Sequence, residues 1–114
     1  MSTDLATLRA THVDLLEKEL ARITAELERL GARLVVLFGS YAQGRRDLFT
    51  DLDLLVVMES DEPFVERIAS LYARLHPKVA ADILVYTPEE FEQMKRRRFV
   101  RHALKTGRVL YARE

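Results

Sequence analysis

The chain has 114 residues, 48% of them hydrophobic and 32% charged, enough for one domain with a buried core. Eighteen Lys and Arg balance 18 Asp and Glu, so no bulk field recommends nucleic acid or a membrane surface as a partner. The absence of Cys excludes a disulfide, a thiolate nucleophile and a thiolate zinc site. A net charge near zero does little to keep copies apart, which leaves homo-oligomers or hetero-oligomers open. The start is polar (Ser2, Thr3, Asp4), no apolar run reaches the length of a membrane span, and the expected location is the cytoplasm.

Taken in chain order, residues 4–30 contain no Gly or Pro, and Val13, Leu16, Leu20, Ile23, Leu27 and Leu30 recur in steps of three and four. That spacing predicts a helix, which Leu5 and Leu8 could extend, with Gly31 as its stop. The stripe either packs on a sheet or overhangs the domain to bind another chain. Leu34 to Phe38 is a continuous apolar run, the pattern of a central strand buried on both faces. A turn over 39–50, with a short helix after Ser40, leads to a second strand, Leu52 to Met58. Ser60-Asp61-Glu62-Pro63 is a helix-start signal, and Phe64, Ile68, Leu71, Tyr72 and Leu75 are the expected buried face of the helix before Pro77. Val79 to Tyr86 reads as a third strand carrying Asp82. Thr87-Pro88-Glu89-Glu90 combines an N-cap, Pro at the first helical position and a capping-box Glu. The following helix breaks before a second stretch, Phe99 to Lys105, and Val109 to Tyr111 closes the chain as a short strand. The alternation predicts an α/β domain over 1–114, with an N-terminal helix over 1–30 and a core over 31–114.

The chemistry concentrates between residues 39 and 53. A Gly39-Ser40 turn can bring backbone N–H groups close to a phosphate. Asp51 and Asp53, two apart on a strand, point to one face and repel unless a cation lies between them. Hard oxygen ligands favour Mg²⁺ or Mn²⁺. Asp82, set in an apolar run on the next strand, is costly to bury unless paired or metal-bound, and adjacent strands at about 4.8 Å would let it join the cluster. Three carboxylates can hold two metals for an in-line displacement, with Asp82 helping to remove the acceptor proton. Gly39 and Ser40 would hold nucleotide phosphates, and Arg45 or Arg46 could add charge-assisted contacts. Each piece alone is commonplace, since Gly-Ser is usually a turn and Asp-x-Asp a solvated loop; the conjunction carries the reading.

Val36-Leu37-Phe38-Gly39-Ser40-Tyr41-Ala42-Gln43-Gly44 followed by Thr50-Asp51-Leu52-Asp53-Leu54-Leu55-Val56 resembles the G-S-x10-D-x-D pattern of the polymerase-β-like nucleotidyltransferases. In particular it looks like the minimal nucleotidyltransferases that serve as antitoxins beside HEPN-domain toxins. The resemblance runs over about residues 30 to 113 and includes the Gly107-Arg108-Val109-Leu110-Tyr111 ending. It implies a small mixed sheet flanked by helices, two Mg²⁺ ions, ATP as substrate, and transfer of AMP to a tyrosine hydroxyl of the HEPN ribonuclease, which is thereby silenced. It also implies metal binding by Asp51 and Asp53, phosphate binding by Gly39 and Ser40, and a third catalytic carboxylate in Asp82. Gln43 stands where many relatives carry Arg, and Thr50 where many carry Ser; neither removes a metal ligand. Two other readings stand beside this one: a binding antitoxin that neutralises without catalysis, and a small-molecule nucleotidyltransferase, which would need another wall to hold its acceptor. Arg97 and His102 reproduce an R-x4-H ribonuclease spacing, but three apolar strands do not suit a helical HEPN bundle. Lys95, Arg96, Arg97, Arg98 and Arg101 read as a solvated basic face, and His12 and His76 lack metal-ligand spacing.

Overall fold

The computed structural model describes residues 4–113. Helix α1 runs Leu5–Arg29, opened by the Asp4 side chain, which accepts from the Thr7 amide at 2.8 Å. Its stripe divides into two parts. Leu16, Leu20, Ile23 and Leu27 are buried, whereas Leu5 is 69% and Leu8 43% exposed. The later turns therefore pack on the sheet as the first reading expects, and the first turns overhang it.

The sheet is built from β1 (Leu34–Phe38), β2 (Leu52–Val57), β3 (Ala81–Tyr86) and β4 (Arg108–Ala112), in the order β3-β2-β1-β4. β1 pairs antiparallel with β2 and β4, and β2 pairs parallel with β3. A parallel pair needs a crossover, which α3 (Phe64–Leu75) supplies. Apart from Asp53, the two central strands are apolar because both of their faces are covered. Val35, Leu37, Leu52, Leu54 and Val56 pack with α1 and α3 on one face. Val36, Leu55, Val57 and Tyr86 pack with Val100 on the other. That second face is covered by α4 (Pro88–Met94) and α5 (Arg98–Thr106). Gly107 is where α5 turns back beside β1: a Cβ there would overlap the Ala103 and Leu37 carbonyl oxygens.

Several boundaries differ from the sequence reading. β2 ends at Val57, one residue early, and β3 begins at Ala81, two residues late. The capping box on α4 forms as its residues require, with Glu90 N–H donating to Thr87 Oγ1 and Thr87 N–H to Glu90 Oε1. The buried face of α3 is Leu71 and Leu75 together with Arg67, while Phe64, Ile68 and Tyr72 are only partly covered. Arg67 stands outside the apolar pattern and is tolerated there because both terminal guanidinium nitrogens are engaged, while its Nε is buried without a partner. It donates to the Val85 carbonyl at 2.9 Å, the Glu62 carbonyl at 2.9 Å and Glu90 Oε1 at 2.6 Å, joining α3, β3 and α4. A second polar junction ties α1 to the turn between α3 and β3. Glu19, 3% exposed, accepts from Arg22 Nε at 2.6 Å and from the Lys78 amide at 2.6 Å, and Arg22 donates on to the Leu75 carbonyl.

Candidate active site

Leu52 and Leu54 point into the core under α1 and α3, so Asp53 between them projects to the opposite face of the sheet. The α5 helix covers that face over Val36 and Leu55 and leaves the Asp53 end open. In the parallel register Asp53 stands opposite Asp82, so both side chains share the open face. Asp51 lies just before the strand, half-buried like Asp53. The loop that delivers it is knitted by Asp47: Thr50 Oγ1 donates to Asp47 Oδ1 and accepts from the Asp47 amide at 2.9 Å, and the Phe49 amide donates to Asp47 Oδ1 at 2.8 Å. His12 Nε2 donates to the Thr50 carbonyl at 2.9 Å, so α1 holds the same loop. His12 and Asp47 do positioning work that spacing alone did not reveal.

Gly39 opens the short helix α2 (Gly39–Ala42) at φ +76, a conformation few L side chains adopt. A Cβ there would overlap Asp53 Oδ2 and lie 2.8 Å from Asp53 Cγ. The backbone that begins α2 and the Asp53 carboxyl are therefore in direct apposition, which places a candidate phosphate cradle beside a candidate metal ligand.

The Asp53 carboxyl is pushed up to about 6. Burial is the largest cause, followed by the negative charges of Asp51 and Asp82 and by the contact with the Asp82 carboxyl. The burial penalty thus falls on Asp53. Asp82, expected to be the costly buried group, is exposed, because β3 is an edge strand and its outer end faces solvent. Among the described residues no three Asp, Glu or His side chains already close around a metal ion. The donors are nevertheless all hard oxygens, crowded without a partner cation, and the open side leaves positions for substrate phosphate. That combination fits Mg²⁺, which binds one or two carboxylates and completes its shell with phosphate and water.

The cleft has two lobes, of ≈ 400 and ≈ 460 Å³, which share Phe38, Asp53 and Phe99. One is lined by Ile68, Tyr72, Asp82, Ile83 and Leu84, the other by Gly39, Gln43, His102, Ala103 and Thr106. Phe99 meets Phe38 edge-on, ring centroids 5.6 Å apart, and stays 56% exposed at their common rim. Gln43 Nε2 donates to the Thr106 carbonyl at 3.1 Å, joining α2 to the end of α5. Phe99, expected only as the start of the second helical stretch, and His102, set aside with the R-x4-H spacing, both line the cleft with Asp53.

The two loop arginines are not aimed alike. Arg45 donates to Asp47 Oδ2 at 2.7 Å and lies within the field of Asp51. Arg46 turns away: it stacks 3.6 Å from the Tyr41 ring centre, donates to the Tyr41 carbonyl at 2.8 Å and faces α1 beside Arg9 and Asp14. Arg96, Arg98, Arg101 and Lys105 line a hollow with His102 on the outer side of α5.

A mixed sheet with paired carboxylates on adjacent strands above a Gly-Ser turn is the architecture of a polymerase-β-like nucleotidyltransferase. The model of the nucleotidyltransferase domain family matches residues 17–105, and the chain belongs to that family. It is 35% identical over 79 residues to "Putative protein adenylyltransferase MJ0604" of Methanocaldococcus jannaschii, an overlap that covers 68% of this chain and 76% of that one. A chain from the crystal structure of a mutant of the toxin-antitoxin MntA-HpeT superposes with a TM-score of 0.51 at 18% identity, covering 86% of this chain and 73% of that one. Among the described residues no helix is long and apolar enough to cross a membrane.

Proposed function

We propose that this nucleotidyltransferase transfers AMP from ATP to a tyrosine hydroxyl of a partner protein, a HEPN-domain toxin, and so acts as its antitoxin in the cytoplasm. The observation that carries the reading is the apposition of Asp53 with Gly39 and its shared face with Asp82, where burial first and the charges of Asp51 and Asp82 second push the Asp53 carboxyl up to about 6, a group that a cation would relieve. The adenylyltransferase relative and the toxin-antitoxin neighbour support the nucleotide and the class of acceptor.

In this reading Asp51 and Asp53 hold Mg²⁺ beside the phosphates, and Asp82 completes the set on the acceptor side. Held by Asp51, Asp53 and Asp82, Mg²⁺ would supply Lewis-acid chemistry, lowering the pKa of the acceptor hydroxyl and offsetting the charge on departing pyrophosphate. The Gly39-Ser40 backbone cradles the phosphates, because Gly39 lets them approach as closely as it lets Asp53. Arg45 stands where it can add a charged contact, whereas Arg46 would have to leave Tyr41 to do so. The two lobes separate the substrates: the nucleotide lies on the Gly39 side, and the acceptor enters on the Asp82 side between Tyr72 and Phe99. Asp82, exposed and facing that lobe, is the group placed to receive the acceptor proton.

The test is intact-mass analysis of a HEPN-domain toxin co-expressed with this chain, after incubation with ATP and Mg²⁺. The expected result is whole AMP increments on a tyrosine with the native protein and none with Asp51→Asn plus Asp53→Asn. Increments that persist in the double variant sink the mechanism. Neutralisation that persists without increments would instead establish an antitoxin acting by complex formation.

A further inference from the structure

Tyr72 belongs to α3, which packs on the face of the sheet opposite Asp53 and Asp82. Its hydroxyl nevertheless reaches the outer edge of β3. There it accepts from the Ile83 amide at 3.0 Å and donates to the Ala81 carbonyl. In a strand the carbonyl of one residue and the amide two residues on point to the same side, so a single hydroxyl takes the place of a missing neighbour strand. The residue between the two bonds is Asp82.

β3 begins at Ala81, directly after a turn, so this is the end of an edge strand and the place where pairing would fray first. The inner side is held by β2, where the Leu52 amide donates to the Ala80 carbonyl at 3.0 Å. The outer side is held by Tyr72 alone among the described residues. Fixing both sides of residues 80–83 fixes the separation of the Asp53–Asp82 pair across the two strands. The Tyr72 ring lines the same lobe as Asp82, and the charges of Asp82 and Asp53 reach its hydroxyl.

We infer that Tyr72 is a positioning residue, a clamp on the edge of β3 that sets where Asp82 stands relative to Asp53. This rests on the nucleotidyl-transfer reading of the carboxylates, with Asp82 acting on the acceptor side. A group that acts through Asp82 affects the chemical step more than nucleotide binding, because the nucleotide lobe is built by Gly39, Gln43 and α5.

Tyr72→Phe removes the hydroxyl and keeps the ring that walls the lobe. In this variant, exchange of the Ile83 amide should accelerate about tenfold or more as the edge opens. The kcat for AMP transfer should fall about tenfold, with KM for ATP within about twofold of native. Mn²⁺ binding, followed by electron paramagnetic resonance on the free protein, should weaken about threefold or more. Tyr72→Leu, which also removes the ring wall, should show the same exchange rate and raise KM for the acceptor. Unchanged Ile83 exchange in Tyr72→Phe would show that the clamp does not form. Faster exchange with native kcat and native Mn²⁺ affinity would show that Tyr72 only supports the edge, and either result overturns the inference. The exchange and Mn²⁺ readouts need no turnover, so if the native protein transfers no AMP, the functional reading fails while the clamp is still decided.

Discussion

Glu19 and Asp53 are both carboxylates drawn out of solvent, and the fold treats them in opposite ways. Glu19, at the junction of α1 with the turn before β3, is held down to about 2, chiefly by its hydrogen bonds from Arg22 and then from the Lys78 amide, against the opposing cost of burial. Asp53 is pushed up to about 6 by burial and by two neighbouring carboxylates, with no cation beside it. A carboxylate that holds a structure together is given its partners by the chain, whereas Asp53 is surrounded by like charges, the pattern expected of the proposed metal ligand.

The largest effect should come from breaking the crowded member. Asp53→Asn is expected to reduce AMP transfer about a thousandfold or more, measured as incorporation of label from ATP. Next, Gly39→Ala should reduce transfer nearly as far, since its methyl would displace the Asp53 carboxyl, and should cost about 1–3 kcal/mol in urea unfolding through strain at φ +76. Removing charge from the satisfied member does the opposite to stability: Glu19→Gln leaves Arg22 and the Lys78 amide short of a charged acceptor and should cost about 2 kcal/mol, with transfer nearly native.

The pH dependence sharpens the contrast, because the two signs differ. The folded pKa of Asp53 lies above its ordinary 3.8, so the metal-free native state holds a proton that the unfolded chain has released. Stability is therefore lost as pH rises from about 3.8 through about 6, and Asp53→Asn should melt higher than native at pH 8 and alike below pH 4. Glu19 is depressed below its ordinary 4.5, so its contribution is complete above that value and lost as pH falls toward about 2. The smallest effect should be at the overhang of α1, where Leu8→Ser should change stability by about 0.5 kcal/mol or less, since no core residue rests on it.

What the sequence made legible follows the same division. Local signals placed elements well: the run Leu34–Phe38 is β1 residue for residue, and the Thr87 capping box opens α4 as drawn. Asp53 and Asp82 came to one face because strand alternation is local and their strands are neighbours. The sequence misled wherever burial depends on the position of an element within the sheet. Asp82 reads as a group costly to bury because its neighbours are apolar, but β3 is an edge strand and its Asp82 end is exposed. Arg67, absent from the expected buried face of α3, is buried because a carboxylate 23 positions later and two carbonyls meet it. Tyr72 looked like core, and its hydroxyl instead closes the strand edge beside Asp82. Partnerships of this kind lie in tertiary contacts that no periodicity carries.

The most direct test of the central claim is a carbon-detected NMR titration of the side-chain carboxyls of Asp53 and Glu19, with and without Mg²⁺. The account predicts that Asp53 titrates near 6 in the free protein and moves down when Mg²⁺ is added, while Glu19 stays near 2 in both. An Asp53 midpoint near its ordinary 3.8, or one that Mg²⁺ leaves in place, would contradict it.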